Sequence, residues 1–209
     1  MTGIERLFST PVMVERAAES ATDWRALRET ILRERARRPE GLVQSNRGGW
    51  HSEITLQHWG GEPALALGRL VCALADRMTV DPNRPEVTNH RWKVDMWANV
   101  GGAGDFHMLH HHPGCVWSAV VYIDDGYEGS PDPSLGGELR LLDPRMPMMR
   151  MAAPHLWLRG EDGHAQPIAP AIRPSERTII VFPAWLGHQV EPFQGTGTRI
   201  SVAVNLAAG

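Results

Sequence analysis

Apolar residues recur at helical spacing in two stretches of the N-terminal half. Trp24, Leu27 and Ile31 fall on one side of a helix with arginine and glutamate between them, until Pro39 and Gly41 end the pattern. The spacing predicts an amphipathic helix with Thr22 as its N-cap. A second stripe, Leu67, Leu70, Val71, Leu74 and Met78, predicts a helix that begins after Pro63 and stops before Asp81-Pro82. Between them, Ser45 to Ser52 contains Gly48-Gly49 and is too glycine-rich for either regular element. It reads as a loop suited to closing over a substrate.

After Asn89 the period shortens from helical to alternating, and Trp92 to Val100 reads as a half-buried strand. Further strand candidates are Cys115 to Ile123, Glu138 to Leu142, Ile168 to Ile172, Thr178 to Phe182, Gly187 to Glu191 and Arg199 to Leu206, divided by glycine and proline. Two helices followed by a run of antiparallel-type strands predict an α+β fold. The expected architecture is a cupin-like jelly-roll or small barrel with the N-terminal helices packed on one sheet. A chain of 209 residues supports one sizeable core. One domain is therefore expected over 1–209, mainly helical over 1–88 and β over 89–209.

Composition narrows the function classes. With 42% hydrophobic and 22% charged residues, the chain is neither disordered nor fibrous. A formal net charge of -3 gives no footprint for nucleic acid, and Arg33, Arg35, Arg37 and Arg38 read as a solvated helix face. No stretch is long enough to span a membrane, and Met1 to Arg6 lacks the basic and apolar regions of a secretion signal, so a cytoplasmic location is expected. Cys72 and Cys115 have no metal or disulfide spacing and read as buried thiols. Exposed edge strands would allow a homodimer. The unusual feature is ten histidines, unevenly spread.

The segment Gly104 to Gly114 holds His107, His110, His111 and His112 just ahead of a strand. In extended backbone, side chains two apart share a side, so His110 and His112 can converge on one ion while His111 faces away. Imidazole suits zinc, copper, nickel and iron. A third ligand has to come from a later strand, and His188 in Pro183 to Val190 is placed to supply it. If the following turn is centred on Gln194 to Gly197, a hairpin sets His188 opposite Ala203, with Arg199, Ser201 and Ala203 on one face. Arg199 then lies roughly 13 Å along the strand from the metal ligand. That gap suits a short dicarboxylate that chelates the metal at one end and meets the planar guanidinium at the other, with Ser201 adding a hydroxyl.

These residues resemble a bacterial family of iron(II)- and 2-oxoglutarate-dependent oxygenases that carries a His-x-His-Pro-Gly segment. The resemblance runs through Leu7 to Val12, Gly48 to Ser52, His110 to Ser118, Gly136 to Leu139, Asp143 to Arg145, Phe182 to Val190 and Arg199 to Asn205. It implies a double-stranded β-helix, with iron(II) held by His110, His112 and His188 and 2-oxoglutarate held by Arg199 and Ser201. It also brings in Tyr122 and Asn99, on flanking strands, as cosubstrate contacts or as packing residues. The implied reaction is hydroxylation of a small-molecule or amino-acid-derived substrate by O2, with release of succinate and CO2. In the wider superfamily the position of His112 is a carboxylate. A site completed by Asp105, through Asp105-x-His107, or by water is therefore the alternative ligand set. A three-His dioxygenase or isomerase that uses no 2-oxoglutarate is the alternative function.

Overall fold

The computed structural model describes residues 7–146, 151 and 153–209. Three helices come first: α1 (Trp24–Arg37), the single turn α2 (Leu56–Trp59) and α3 (Gly61–Asp76). The strands are β1 (Met13–Arg16), β2 (Asn46–Arg47), β3 (Trp50–His51), β4 (Trp92–Gly101), β5 (Phe106–His110), β6 (Trp117–Asp124), β7 (Leu139–Leu141), β8 (Ala171–Ile172), β9 (Thr178–Pro183), β10 (His188–Val190) and β11 (Arg199–Ala208). They form two antiparallel sheets, one in the order β1-β9-β6-β11-β4-β3 and the other β2-β5-β10-β7-β8. This is the α+β double-stranded β-helix expected, with the helices packed on the larger sheet.

The alternating pattern places the core. Along β11, Ile200, Val202, Val204 and Leu206 are fully buried in one cluster with Leu27 and Ile31 of α1 and with Leu67, Val71 and Leu74 of α3. Met96, Ala98 and Val100 of β4 and Trp117, Ala119 and Val121 of β6 join the same side. Gly68 allows the close approach of α3, since a Cβ there would lie 3.2 Å from Met96 Sδ. The opposite faces of these strands meet the smaller sheet, where Tyr122, Leu139, Leu141, Ile180, Phe182 and Leu186 form a second apolar cluster.

Several local expectations need correction. Asp23, not Thr22, caps α1: its carboxylate accepts from Ala26 N at 2.9 Å, while Thr22 Oγ1 donates to Pro63 O. The stretch around Gly48-Gly49 is not a loop. It forms β2 and β3, which pair with strands of different sheets, so the two glycines, both at positive φ, carry the chain across the sandwich in two residues. Cys72 and Cys115 are free but half-buried rather than buried. The basic run does lie on a solvated face, with Arg37 and Arg38 paired to Glu34. Among the described residues, no helix is long and apolar enough to cross a membrane.

The largest correction concerns the C-terminal hairpin. β10 and β11 do not pair. His188 stands opposite His110 and Leu141 in the smaller sheet, and Ala203 stands opposite Trp97 and Val120 in the larger. Residues 191–198 cross between the sheets instead of turning back. Pro192 has no N–H to extend a ladder. Phe193, fully buried, exchanges backbone hydrogen bonds with the β4–β5 connection, donating to Asp105 O at 3.1 Å and accepting from Gly104 N at 2.7 Å.

Truncation of a side chain in the helix–sheet core tests this packing. Leu67→Ala is expected to cost about 2–5 kcal/mol. Urea unfolding should show a lower midpoint with an unchanged slope.

Candidate functional site

Between the sheets lies a cavity of about 320 Å³. His110 ends β5 and His188 begins β10, and the two are direct register partners. His112 lies just past β5, held by its N–H donating to Ala184 O at 3.0 Å. The three imidazoles converge: ring centroids of His110 and His188 are 4.2 Å apart, and each is 5.0 Å from His112. One ligand atom from each lies within 4.8 Å of the others, and among the described residues no other trio of His, Cys, Asp or Glu does so. His111 is exposed and sits against Gly187.

The proton positions suit metal binding for two of the three. His110 Nδ1 lies 2.7 Å from Met108 O, and His188 Nδ1 lies 2.9 Å from Leu186 O. A carbonyl only accepts, so each Nδ1 carries the proton and each Nε2 keeps a lone pair for a ligand role. Burial, reinforced by the neighbouring histidines, lowers the pKa of His188 to about 3 and that of His112 to about 4. Burial also lowers that of His110. Such imidazoles are neutral near pH 7, the charge state that coordination requires.

The other end of the cavity is built around Arg199. Its guanidinium is buried, donates to Gly137 O at 2.7 Å, and lies 5.0 to 5.6 Å from the ring centroids of Tyr122, Tyr127 and Phe193. No carboxylate among the described residues pairs with it. Space for the side chain comes from two glycines at positive φ: a Cβ on Gly137 would fall 1.6 Å from Arg199 Nη1, and one on Gly126 would fall 2.5 Å from Arg199 Cγ.

Next to Arg199 the three central strands present one polar rung. Ser201 of β11 is opposite Asn99 of β4 on one side and Tyr122 of β6 on the other. Tyr122 OH and Asn99 Oδ1 are buried and find no hydrogen-bond partner among the described residues. Burial pushes the Tyr122 phenol up to about 12, so it stays a neutral donor. Orphaned buried polar atoms beside an uncompensated guanidinium call for a polar, anionic guest. The structure thus brings all four residues expected at the cosubstrate end to one wall.

The alternative ligand pair is not brought to the cluster. The Asp105 carboxylate accepts from Gly102 N at 2.8 Å and packs against Gly48, bracing the chain crossing. His107 faces the cavity but bonds elsewhere, with Nδ1 3.3 Å from Ser45 Oγ, and burial lowers its pKa to about 4. Ser45 Oγ also lies 3.4 Å from His110 Nε2. His51, buried, stacks on Trp97 at 5.6 Å. His107, Ser45 and the cavity role of His51 are not predicted by alternation. His107 and His110 are three residues apart and should face opposite ways, but a register shift between His188 and Val190 brings both inward.

Residues 95–205 match the family model described as "Putative 2OG-Fe(II) oxygenase". The chain belongs to this family. It is accordingly an oxidoreductase that uses iron(II), 2-oxoglutarate and O2 on a further substrate. Among curated proteins, no sequence matches it significantly. Solved structures share the fold. A prolyl-4-hydroxylase of Pseudomonas putida is 18% identical, with a TM-score of 0.58 over 97% of this chain and 95% of that one. A Trichoplax adhaerens prolyl hydroxylase, in complex with a hypoxia inducible factor oxygen degradation domain peptide fragment, is 13% identical, with a TM-score of 0.61 over 94% and 83%. HygX of Streptomyces hygroscopicus, with nickel and 2-oxoglutarate bound, is 13% identical, with a TM-score of 0.54 over 95% and 83%.

The depressed histidine pKa values set a pH dependence. Below about pH 6.5 the unfolded chain takes up protons on histidines, while the folded protein refuses them at His112 until about pH 4 and at His188 until about pH 3. Stability is therefore full above the unfolded value and is lost as the pH falls through this window. With metal chelated, the melting temperature should drop between pH 7 and pH 5, and His188→Gln should make that drop shallower.

Proposed function

We propose that this oxygenase hydroxylates a small-molecule or amino-acid-derived substrate. In this reading His110, His112 and His188 hold iron(II), and Arg199, Ser201, Tyr122 and Asn99 hold 2-oxoglutarate. The observation that carries it is the polar rung beside an uncompensated Arg199, at one end of a cavity whose other end is three converging imidazoles. The overall change is substrate C–H plus 2-oxoglutarate plus O2 to substrate C–OH plus succinate plus CO2. Bound together, iron and 2-oxoglutarate supply the oxidative decarboxylation that activates O2.

The chain's own residues orient and enclose. Arg199 offers a planar, permanently charged partner for the far carboxylate, and the Tyr122 phenol and Ser201 hydroxyl add donors from the same wall. His110 and His188 are locked in the ligating tautomer by backbone carbonyls. Trp97, buried and stacked on His51, walls the metal end against water. Trp117 lies in the helix-side core and Trp185 is exposed, so neither shares this role. Three neutral ligands would leave the charge of a dipositive metal to be met by the anionic guest. A cavity of about 320 Å³ is at the small end for ligand sites. Once 2-oxoglutarate is in place, the enclosed space left suits an amino-acid side chain or a small metabolite.

Purified protein with iron(II) should convert 2-oxoglutarate to succinate slowly without substrate, as followed by NMR. Arg199→Ala should weaken 2-oxoglutarate binding about 10- to 100-fold, the loss of a charge-assisted hydrogen-bonded pair. No turnover, together with equal 2-oxoglutarate binding by wild type and Arg199→Ala, would falsify the assignment. Oxygen consumption that is indifferent to 2-oxoglutarate would point to the three-His dioxygenase chemistry instead.

A further inference from the structure

The three imidazoles are not held alike. His110 and His188 each place Nδ1 against the carbonyl two residues earlier, a partner that cannot change its role. His112 Nδ1 instead meets a side chain, with Asn205 Nδ2 at 3.1 Å. Asn205 in turn accepts at Oδ1 from Ser118 Oγ at 2.8 Å, and Ser118 is buried. On its other side His112 Nε2 lies 3.2 Å from His188 Nε2. The four groups form a chain with one direction: Ser118 donates to Asn205, Asn205 donates to His112 Nδ1, and His112 donates through Nε2 to His188 Nε2, whose own proton lies on Nδ1.

In that sense of the chain His112 carries its proton on Nε2 and has no lone pair to give a metal. The opposite sense keeps both bonds of the Asn205 amide and gives up only the one between His112 Nε2 and His188 Nε2, the two atoms a metal would then join. An amide holds a donor and an acceptor of nearly the same shape, and a hydroxyl can do either job. Rotating the Asn205 amide by half a turn puts Oδ1 against His112 Nδ1–H and Nδ2–H against Ser118 Oγ. His112 Nε2 is then free to coordinate. The imidazole stays neutral throughout, with one proton lost from Nε2 to solvent and one gained at Nδ1.

We propose that Asn205 is the positioning residue of the third metal ligand: its amide, backed by Ser118, selects the tautomer of His112 and turns over as the metal enters. A carboxylate at 205 would fix the ligating sense permanently, and an apolar residue would support neither. The inference rests on the reading of His112 as a ligand.

Long-range proton–nitrogen NMR reads imidazole tautomers directly, and zinc(II) serves as a diamagnetic probe. His112 is expected to be Nε2–H in chelator and Nδ1–H with zinc(II), while His110 and His188 stay Nδ1–H under the former condition and remain so with zinc. Asn205→Leu should lower zinc(II) affinity about 10- to 100-fold, the range for partners that orient a ligating histidine. Ser118→Ala should lower it less. Asn205→Asp should bind at least as tightly as wild type and show His112 as Nδ1–H even in chelator. Melting curves in chelator confirm that each variant is folded, and the aspartate variant separates the hydrogen-bonding role from packing. Unchanged affinity in Asn205→Leu, with a large loss in His112→Ala, overturns the role of Asn205 and leaves the ligand set standing. Unchanged affinity in His112→Ala overturns the ligand set and the inference with it. A His112 that is Nδ1–H under both conditions overturns the turnover of the amide.

Discussion

β11 lies at the centre of the larger sheet, between β6 and β4, and its alternation has to satisfy two unlike surroundings at once. Ile200, Val202, Val204 and Leu206 go to the helices, while Arg199, Ser201, Ala203 and Asn205 go to the cavity. A slip of one residue would exchange the two sets and put a guanidinium into a dry aliphatic core. The register is therefore held by hydrophobic burial on the outer face, and the chemistry on the inner face inherits that precision. The same pairing sets Asn99 and Tyr122 on either side of Ser201, and Asp95 and Ser118 on either side of Asn205. Successive rungs of one sheet thus run from the proposed carboxylate site to the proposed metal site.

That inheritance is why so much was legible from sequence. Period two over β4 and β11, the continuous apolar runs of β6 and β9 and period 3.6 over α1 and α3 are burial signals, and each of these elements forms close to its expected bounds. His110, His112 and His188 converge because alternation and the jelly-roll topology together leave them little choice. Arg199 reaches the same cavity by another path. A hairpin between β10 and β11 predicts the shared face, yet the strands lie in opposite sheets and face each other across the cavity. Both arrangements present Arg199, Ser201 and Ala203 toward His188, so periodicity could not distinguish them. Long-range anchoring of Phe193 decides it, and nothing local encodes that contact.

What stayed illegible is what depends on pairing rather than pattern. β2 and β3 are two residues each, too short to carry a period, and exist because β5 and β4 supply their hydrogen bonds. β1 is likewise defined by its ladder with β9. His107 is hidden by a register shift that breaks the alternation rule at one place. Gly126 and Gly137 look like ordinary turn residues until the Arg199 side chain is seen to occupy the space a Cβ would need.

The electrostatics of the cavity tie these features together. A buried guanidinium without a carboxylate is costly, and its contacts here, one carbonyl and three aromatic rings, offset only part of that cost. At the other end, three neutral imidazoles would bring no negative charge to a dipositive metal. Neither the three imidazoles nor the described partners of Arg199 supply a negative charge, and a dicarboxylate spanning the two sites answers both deficits at once. A carboxylate in place of His112 would meet one of those deficits from within the protein and weaken the pull on the guest. The three-His arrangement instead makes the charge balance of the metal depend on the cosubstrate. Binding of metal and binding of 2-oxoglutarate are then expected to support each other, each being the counter-charge the other lacks.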